Sequence, residues 1–310
     1  MEKLVLIDGH SILNRAFYGV PGLTNSEGLH TNAVYGFLNI LFKLLEEEKP
    51  GYLAVAFDLK PPAFRHTMYD AYKGTRKPMP EELHEQVPLM KEVLTAMGIP
   101  IFTREGYEAD DILGTVAKKA QAAGMEVTVV SGDRDLLQLS DAHIKISIPK
   151  TSRGTTEVHT YYPEDVKREY QVTPEQFIDV KALMGDTSDN IPGVPSIGEK
   201  TATNLILQFG SVNGVYEHLS EVKPPRAKKS LEEHRDLAEL SYKLAKICIE
   251  APVEFSPEDA RIGDLYTKEA YEYMSRLEFK SLLAKFGDHV KKEAAAALDF
   301  HAVTDLAVAE

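Results

Sequence analysis

Three short, unbroken apolar runs mark the first half of the chain: Leu4–Ile7, Tyr52–Phe57 and Val127–Val130. A strand with one face in water alternates apolar and polar residues, so continuous runs predict parallel strands covered on both faces. Between the runs the period lengthens to that of a helix. In Asn32–Glu48, Val34, Phe37, Leu38, Leu41 and Leu45 share a face, and Pro50-Gly51 stops the element. Glu81–Met97 carries Leu83, Val87, Met90, Leu94 and Met97, with Gly98 after it. Glu108–Ala123 carries Leu113, Val116, Ala117 and Ala120, with Gly124 as its stop. Strands alternating with helices predict an α/β fold whose central, mostly parallel sheet is flanked by helices, with right-handed crossovers.

His143–Tyr162 reads as a hairpin turning at Thr151-Ser152-Arg153-Gly154. Beyond Pro163 the strand pattern ends, and Glu164–Tyr170, Pro174–Met184, Lys200–Phe209 and Leu231–Cys248 are helical in composition. The expected organisation is an α/β unit over 1–162 and a helical region over 163–290. Residues 291–310 then hold an alanine-rich linker and, in Leu298–Val308, the first strand of a following domain.

Composition narrows the class. With 310 residues, 43% hydrophobic and 27% charged, the chain is globular rather than disordered, collagen-like or a disulfide scaffold. No apolar run is long enough to cross a bilayer, so no membrane partner is expected. Met1-Glu2-Lys3-Leu4 lacks the features of a signal peptide, and the single cysteine, Cys248, cannot form an internal disulfide. The expected compartment is the reducing cytoplasm. The net charge of −13 argues weakly against a nucleic-acid partner, but a partner feels the local field, and here the charge is unevenly distributed.

Asp8, Asp58 and Asp133 each follow one of the three strand runs, and Asp135 lies two residues further on. Ligands of open parallel sheets bind beyond the carboxyl ends of the strands, so these acids converge on one crevice. Glu108, Asp110 and Asp111 open a helix, with Glu108 and Asp111 on a face apart from its apolar stripe. Asp186 and Asp189 stand three apart in the loop after Met184. Each has an ordinary explanation as a helix cap, a turn former or a dipole partner. Those explanations do not account for all nine pointing to one side of one sheet, where unneutralised carboxylates repel. Taking the nine out of 48 acids leaves 39 against 35 Lys and Arg, so the set holds most of the excess acidity. An all-oxygen cluster without His or Cys selects hard ions such as Mg²⁺ or Mn²⁺. Two such ions about 4 Å apart suit phosphodiester hydrolysis, one activating a water and the other stabilising the leaving oxygen.

Lys60–Lys77 is strongly basic, with Lys60, Arg65, Lys73, Arg76 and Lys77 against Asp70, and Phe64, Tyr69 and Tyr72 lie among them. Cations interleaved with rings suit a single nucleic-acid strand, and the chain order puts the segment over the crevice. Ile191–Ala202 is a glycine turn opening a helix. It is not a phosphate-binding loop of the Walker type, since Glu199 interrupts the required Gly-Lys and no strand precedes it. A helix–hairpin–helix turn over about 174–210 fits, its N–H groups holding a duplex phosphate without reading bases.

These motifs, in this order, resemble the 5′ nuclease (flap endonuclease) family. The carrying segments are Ile7–His10, Ala56–Asp58, Phe64–His66, Tyr72–Arg76, Gly106–Asp111, Ser131–Asp135, Met184–Asn190 and Pro192–Ala202. The resemblance covers about 1–290 and implies a PIN-like nuclease core with a helical arch over about 60–98. It implies a first metal on Asp8, Glu108, Asp111 and Asp133, with Asp58 and Asp110 in or beside its shell, and a second on Asp135, Asp186 and Asp189. Lys73 and Arg76 would meet the scissile phosphate as catalytic residues. Arg15, Arg65 and Lys200 would contact DNA, Tyr72 would stack on a base, and the turn near Gly193–Gly198 would bind duplex and K⁺ through its backbone. The implied activity is Mg²⁺-dependent 5′→3′ exonuclease and flap endonuclease cleavage of flaps, nicks and RNA-primed ends. The implied protein acts as a monomer in the bacterial nucleoid, joined to a polymerase portion. Two other readings stay open on the residues alone. A phosphatase of the haloacid dehalogenase type also uses strand-end aspartates, although Asp8-Gly9-His10 lacks its second Asp. A non-enzymatic junction binder would need no acid cluster.

Overall fold

The structure is a computed structural model that describes residues 2–287 apart from Pro61, Arg153 and Gly154. The expected strand at Leu298–Val308 lies outside the described residues. Six strands form one sheet in the order β3-β2-β1-β4-β5-β6. They are β1 Lys3–Asp8, β2 Tyr52–Ala56, β3 Ile101–Phe102, β4 Glu126–Val130, β5 Ile144–Ser152 and β6 Thr155–Tyr161. The first five pair parallel, and β6 closes the edge antiparallel to β5 as the expected hairpin.

The unbroken apolar runs are explained by two cores. Leu4, Leu6, Ala54, Ala56, Val127 and Val129 face one core, and Val5, Ile7, Leu53, Val55 and Val130 face the other. Helices α1 (Gly9–Gly19), α2 (Asn32–Glu48) and α5 (Gln86–Ala96) supply the second core. The first is covered by α6 (Ala109–Ala122) and by the helical region. That region holds α7 (Pro163–Tyr170), α8 (Pro174–Met184), α9 (Glu199–Phe209), α10 (Val212–Glu217), α11 (Pro225–Glu233) and α12 (Arg235–Ala245).

The structure departs from the pattern in instructive places. The helix expected over Glu81–Met97 is two, α4 (Glu81–His84) and α5. Pro88 has no N–H to give the His84 carbonyl, and its ring crowds that oxygen, so the helix breaks between them. The break frees Gln86, fully buried, whose Oε1 accepts the Ala33 and Val34 N–H groups at 2.8 and 3.2 Å. It thereby caps α2, whose own Thr31 makes no side-chain cap. The helix expected over Leu231–Cys248 likewise divides, at His234. The basic segment carries only a five-residue helix, α3 (Phe64–Met68), followed by turns. Finally, α13 (Lys268–Arg276) and the residues to Phe286 leave the helical region. Leu265, Ala270, Met274, Phe279 and Phe286 pack into the core of α2 and α5.

The strand order runs outward from β1 to β3 and then restarts beside β1 with β4. Crossovers leave in opposite directions at that point, which opens a crevice at the carboxyl ends of β1 and β4.

Candidate active site

At the mouth of this crevice lies a cleft of about 980 Å³, lined by Asp8, Asp58, Glu108, Asp110 and Asp133 among others. An adjoining hollow of about 490 Å³ is lined by Asp133, Asp135, Lys181 and Asp186. Asp133 and Gly132 border both.

Asp8 ends β1 and starts α1, accepting the Ser11 N–H at 3.0 Å. The second carboxylate oxygen accepts from Ser131 Oγ at 2.7 Å. Burial, together with the negative charge of Asp58, raises its pKa to about 6. Burial also pushes Asp110 well above the ordinary carboxylate range, and the charges of Asp133, Asp8 and Asp58 add to that push. Burial would raise Asp58 too, but hydrogen bonds from His10 and from the Ala109 N–H (2.7 Å) hold it low. That second bond ties the end of β2 to the start of α6. Asp133 accepts the Asp135 N–H at 2.9 Å and so caps the 3₁₀ turn Arg134–Leu139.

Basic side chains thread the acids. Lys73, in the left-handed region at φ 55°, places Nζ 2.6 Å from Glu108 and 3.7 Å from Asp189. Burial lowers its pKa, but those two carboxylates outweigh burial and hold the ammonium charged. Arg76 pairs with Asp189. Lys181, a residue the sequence pattern did not single out, bridges Asp135 and Asp186, with Asp186 at 2.5 Å. It sits inside the apolar run of α8, and its buried position is visible only once α8 is seen against the strand ends. Against burial, which raises it, Lys181 and the N–H groups of its own turn hold Asp186 at about 2. Asp135 is pushed up to about 7, first by burial and then by Asp133.

Three of the expected residues are packed into the interior beside the cleft. Asp111 is fully buried and lines neither hollow; its oxygens accept from Arg65, from the Glu108 N–H at 3.1 Å and from the Cys248 N–H at 2.8 Å. A carboxylate so saturated has no lone pair facing a metal. Arg65 is only 3% exposed and spends all five donors within the protein: on Asp111 twice, on Glu108, and on the Leu244 and Lys246 carbonyls. It has none left for DNA. Tyr72, expected to stack on a base, is 4% exposed, with its hydroxyl 3.0 Å from Glu108 and 3.3 Å from Asp189. These residues are the footing that holds Glu108 and Asp189 in place.

Of the remaining expected residues, Arg15, Lys73 and Arg76 line the cleft. The glycine turn links α8 to α9. Gly193, at φ 62°, passes so close that a Cβ would lie 2.3 Å from the Gly185 nitrogen, and its N–H donates to Ser241 Oγ at 2.9 Å. Gly198 is the exposed N-cap of α9 and Lys200 is exposed in its first turn.

Among the described residues, no three His, Cys, Asp or Glu side chains stand in ready-made metal-ligand geometry. Lys73, Arg76 and Lys181 lie among the acids instead. The donor chemistry of the acids nevertheless fits hard divalent cations: they offer carboxylate oxygens, and the charges of neighbouring acids add to the rise in the pKa of Asp8 and Asp110. Among the described residues, no helix is long and apolar enough to cross a membrane.

Residues 3–171 match the family model described as 5′-3′ exonuclease, N-terminal resolvase-like domain, and residues 172–268 that described as 5′-3′ exonuclease, C-terminal SAM fold. The chain is 49% identical over 284 residues to DNA polymerase I of Bacillus caldotenax, covering 92% of this chain and 32% of that protein. It is 47% identical over 287 residues to DNA polymerase I of Bacillus subtilis, covering 93% and 32%. The chain thus spans about a third of the length of the curated relatives it matches. Among solved structures, the bacteriophage T5 D15 protein crystallised with metal ions superposes with a TM-score of 0.67 at 22% identity, over 94% of this chain and 99% of that one. The catalytic core of Rad2 in complex with DNA substrate gives 0.58 at 15% identity, over 89% and 87%. Both likenesses concern the fold.

Proposed function

Because the chain belongs to the 5′-3′ exonuclease family, we propose that its cleft hydrolyses phosphodiesters near the junction of duplex DNA and a 5′ single strand. Flaps, nicks and RNA-primed ends are its substrates, and the products carry a 5′-phosphate and a 3′-hydroxyl. One observation carries the reading: Asp8, Asp58, Glu108, Asp110 and Asp133, from separate elements, line one cleft together with Lys73 and Arg76. The polarity of the sheet supports it, since each strand-end acid is delivered to the same edge.

Two Mg²⁺ ions, replaceable by Mn²⁺, are the cofactors of this reading. Asp8, Asp58, Glu108, Asp110 and Asp133 would hold the first, and Asp135, Asp186 and Asp189 the second. When bound, such ions supply an activated water and neutralise charge on the leaving oxygen. The chain's own part is positional. Lys73 exchanges its Glu108 partner for a phosphate oxygen, Arg76 does the same from Asp189, and Lys181 gives up its bridging place. Arg65 and Tyr72 keep Glu108 aimed while this happens. Arg15 contacts the strand within the cleft. Gly193, Gly198 and Lys200 hold a duplex phosphate at the start of α9, with K⁺ on the turn's carbonyls. Backbone contacts carry no base information, so sequence preference is slight. The relatives' greater length supports a covalently joined polymerase portion in the whole protein, which works as a monomer in the bacterial nucleoid.

The test is a labelled 5′-flap oligonucleotide incubated with Mg²⁺ and, separately, with EDTA, using wild type and Asp133→Ala. Cleavage by wild type in Mg²⁺ alone, with the variant binding duplex but not cutting, is the expected result. Cutting in EDTA, or at wild-type rate by the variant, overturns it.

A further inference from the structure

The cations bordering the cleft divide into two kinds. Lys73 and Arg76 are already paired with carboxylates. Lys91, from α5, borders the same cleft but makes no ion pair among the described residues. Its Nζ sits 4.8 Å from the centroid of the Phe57 ring. That ring is itself pinned. Gly9 approaches it so closely that a Cβ there would lie 2.5 Å from it, and His10 packs edge-on at 5.2 Å. Phe57 directly precedes Asp58, so the platform under Lys91 belongs to the same strand end that supplies a cleft carboxylate.

We propose that Lys91 is a phosphate contact for the DNA strand in the cleft, held over Phe57 and free to accept an anion without first breaking an ion pair. The inference rests on the nuclease reading above and extends its binding surface to α5. An ammonium over an aromatic face keeps its outward N–H donors available, since the ring takes only the inner side. Partial burial lowers its pKa, which marks a cation short of solvation and ready to exchange water for phosphate oxygen. Lys91 is thereby a docking contact, whereas Lys73, engaged by Glu108, becomes available only after rearrangement.

Flap binding is measured in EDTA and cleavage in Mg²⁺, for wild type, Lys91→Met and Lys91→Arg. Met keeps the stem's packing, and Arg keeps both the charge and the contact with the ring. Lys91→Met is expected to weaken flap binding and raise KM about tenfold, with kcat within about twofold. Its log–log salt slope is expected to shrink by roughly 0.7–0.9, the loss of one phosphate contact. Lys91→Arg is expected to stay near wild type on every readout. A methylphosphonate scan locates the partner: neutralising one particular phosphate should weaken wild type but not Lys91→Met. If Lys91→Met unfolds, the same scan on Lys91→Arg, compared with Lys91→Gln, decides. Wild type that binds and cuts while the uncharged variants keep affinity and salt slope overturns this proposal alone. So does a scan in which every position costs wild type and variant equally. Wild type that neither binds nor cuts the flap overturns both readings.

Discussion

Arg65 and Asp111 face each other through two parallel hydrogen bonds of 2.8 Å, at a point where neither reaches solvent. The pair joins the basic segment to the first turn of α6, and Arg65 also reaches Glu108, the last turn of α12 and Lys246 just after it. Glu108 is therefore aimed into the cleft by a contact made outside it. Removing one partner strands the other's charge in the interior, which costs far more than the pair itself contributes.

Arg65→Ala is expected to destabilise the fold by about 3–5 kcal/mol, read by urea unfolding. The double variant Arg65→Met with Asp111→Leu should lose less than either single change. Additive losses would mean that the two side chains act independently.

Lys73→Ala is expected to lower kcat about a hundredfold while changing flap affinity only slightly, because its charge is delivered to the reacting phosphate. A variant with normal kcat and weakened binding would reassign Lys73 to docking.

Stability without metal depends on pH in a stated direction. Asp8 has a folded pKa of about 6 against an ordinary 3.8, so the folded state holds a proton that the unfolded state has lost. Its contribution is intact below about pH 4 and disappears as pH rises through 6, a difference on the order of 3 kcal/mol. Asp110 is shifted the same way. Thermal melts in EDTA should fall from pH 4.5 to 7, Asp8→Asn should flatten part of that slope, and saturating Mg²⁺ should restore stability at pH 7. Melts in EDTA that do not change with pH would contradict the assignment.

Gly193→Ala should destabilise by more than the roughly 1–2 kcal/mol that a left-handed backbone costs a residue with a Cβ. The added atom would also collide with the Gly185 nitrogen at 2.3 Å. Unfolding midpoints measure the loss, and duplex affinity should fall with it. A loss no larger than the backbone cost would show that the turn can relax.

The sequence by itself determined the alternating strand and helix order, the parallel sheet and the strand-end positions of Asp8, Asp58 and Asp133. Each follows from local periodicity and from the polarity that a parallel sheet imposes on all its strands. Only the tertiary structure decided which charges are spent on one another. Arg65, Lys73 and Arg76 look alike as members of one basic run, yet one is buried with every donor used and the others border the cleft. Lys181 inside an apolar helix and Gln86 capping a distant one were equally hidden. Asp135 lies 46 residues from Lys181 and Ala33 53 residues from Gln86, and burial, which sets the cost of an unpaired charge, is a property of the packed chain and not of its local pattern.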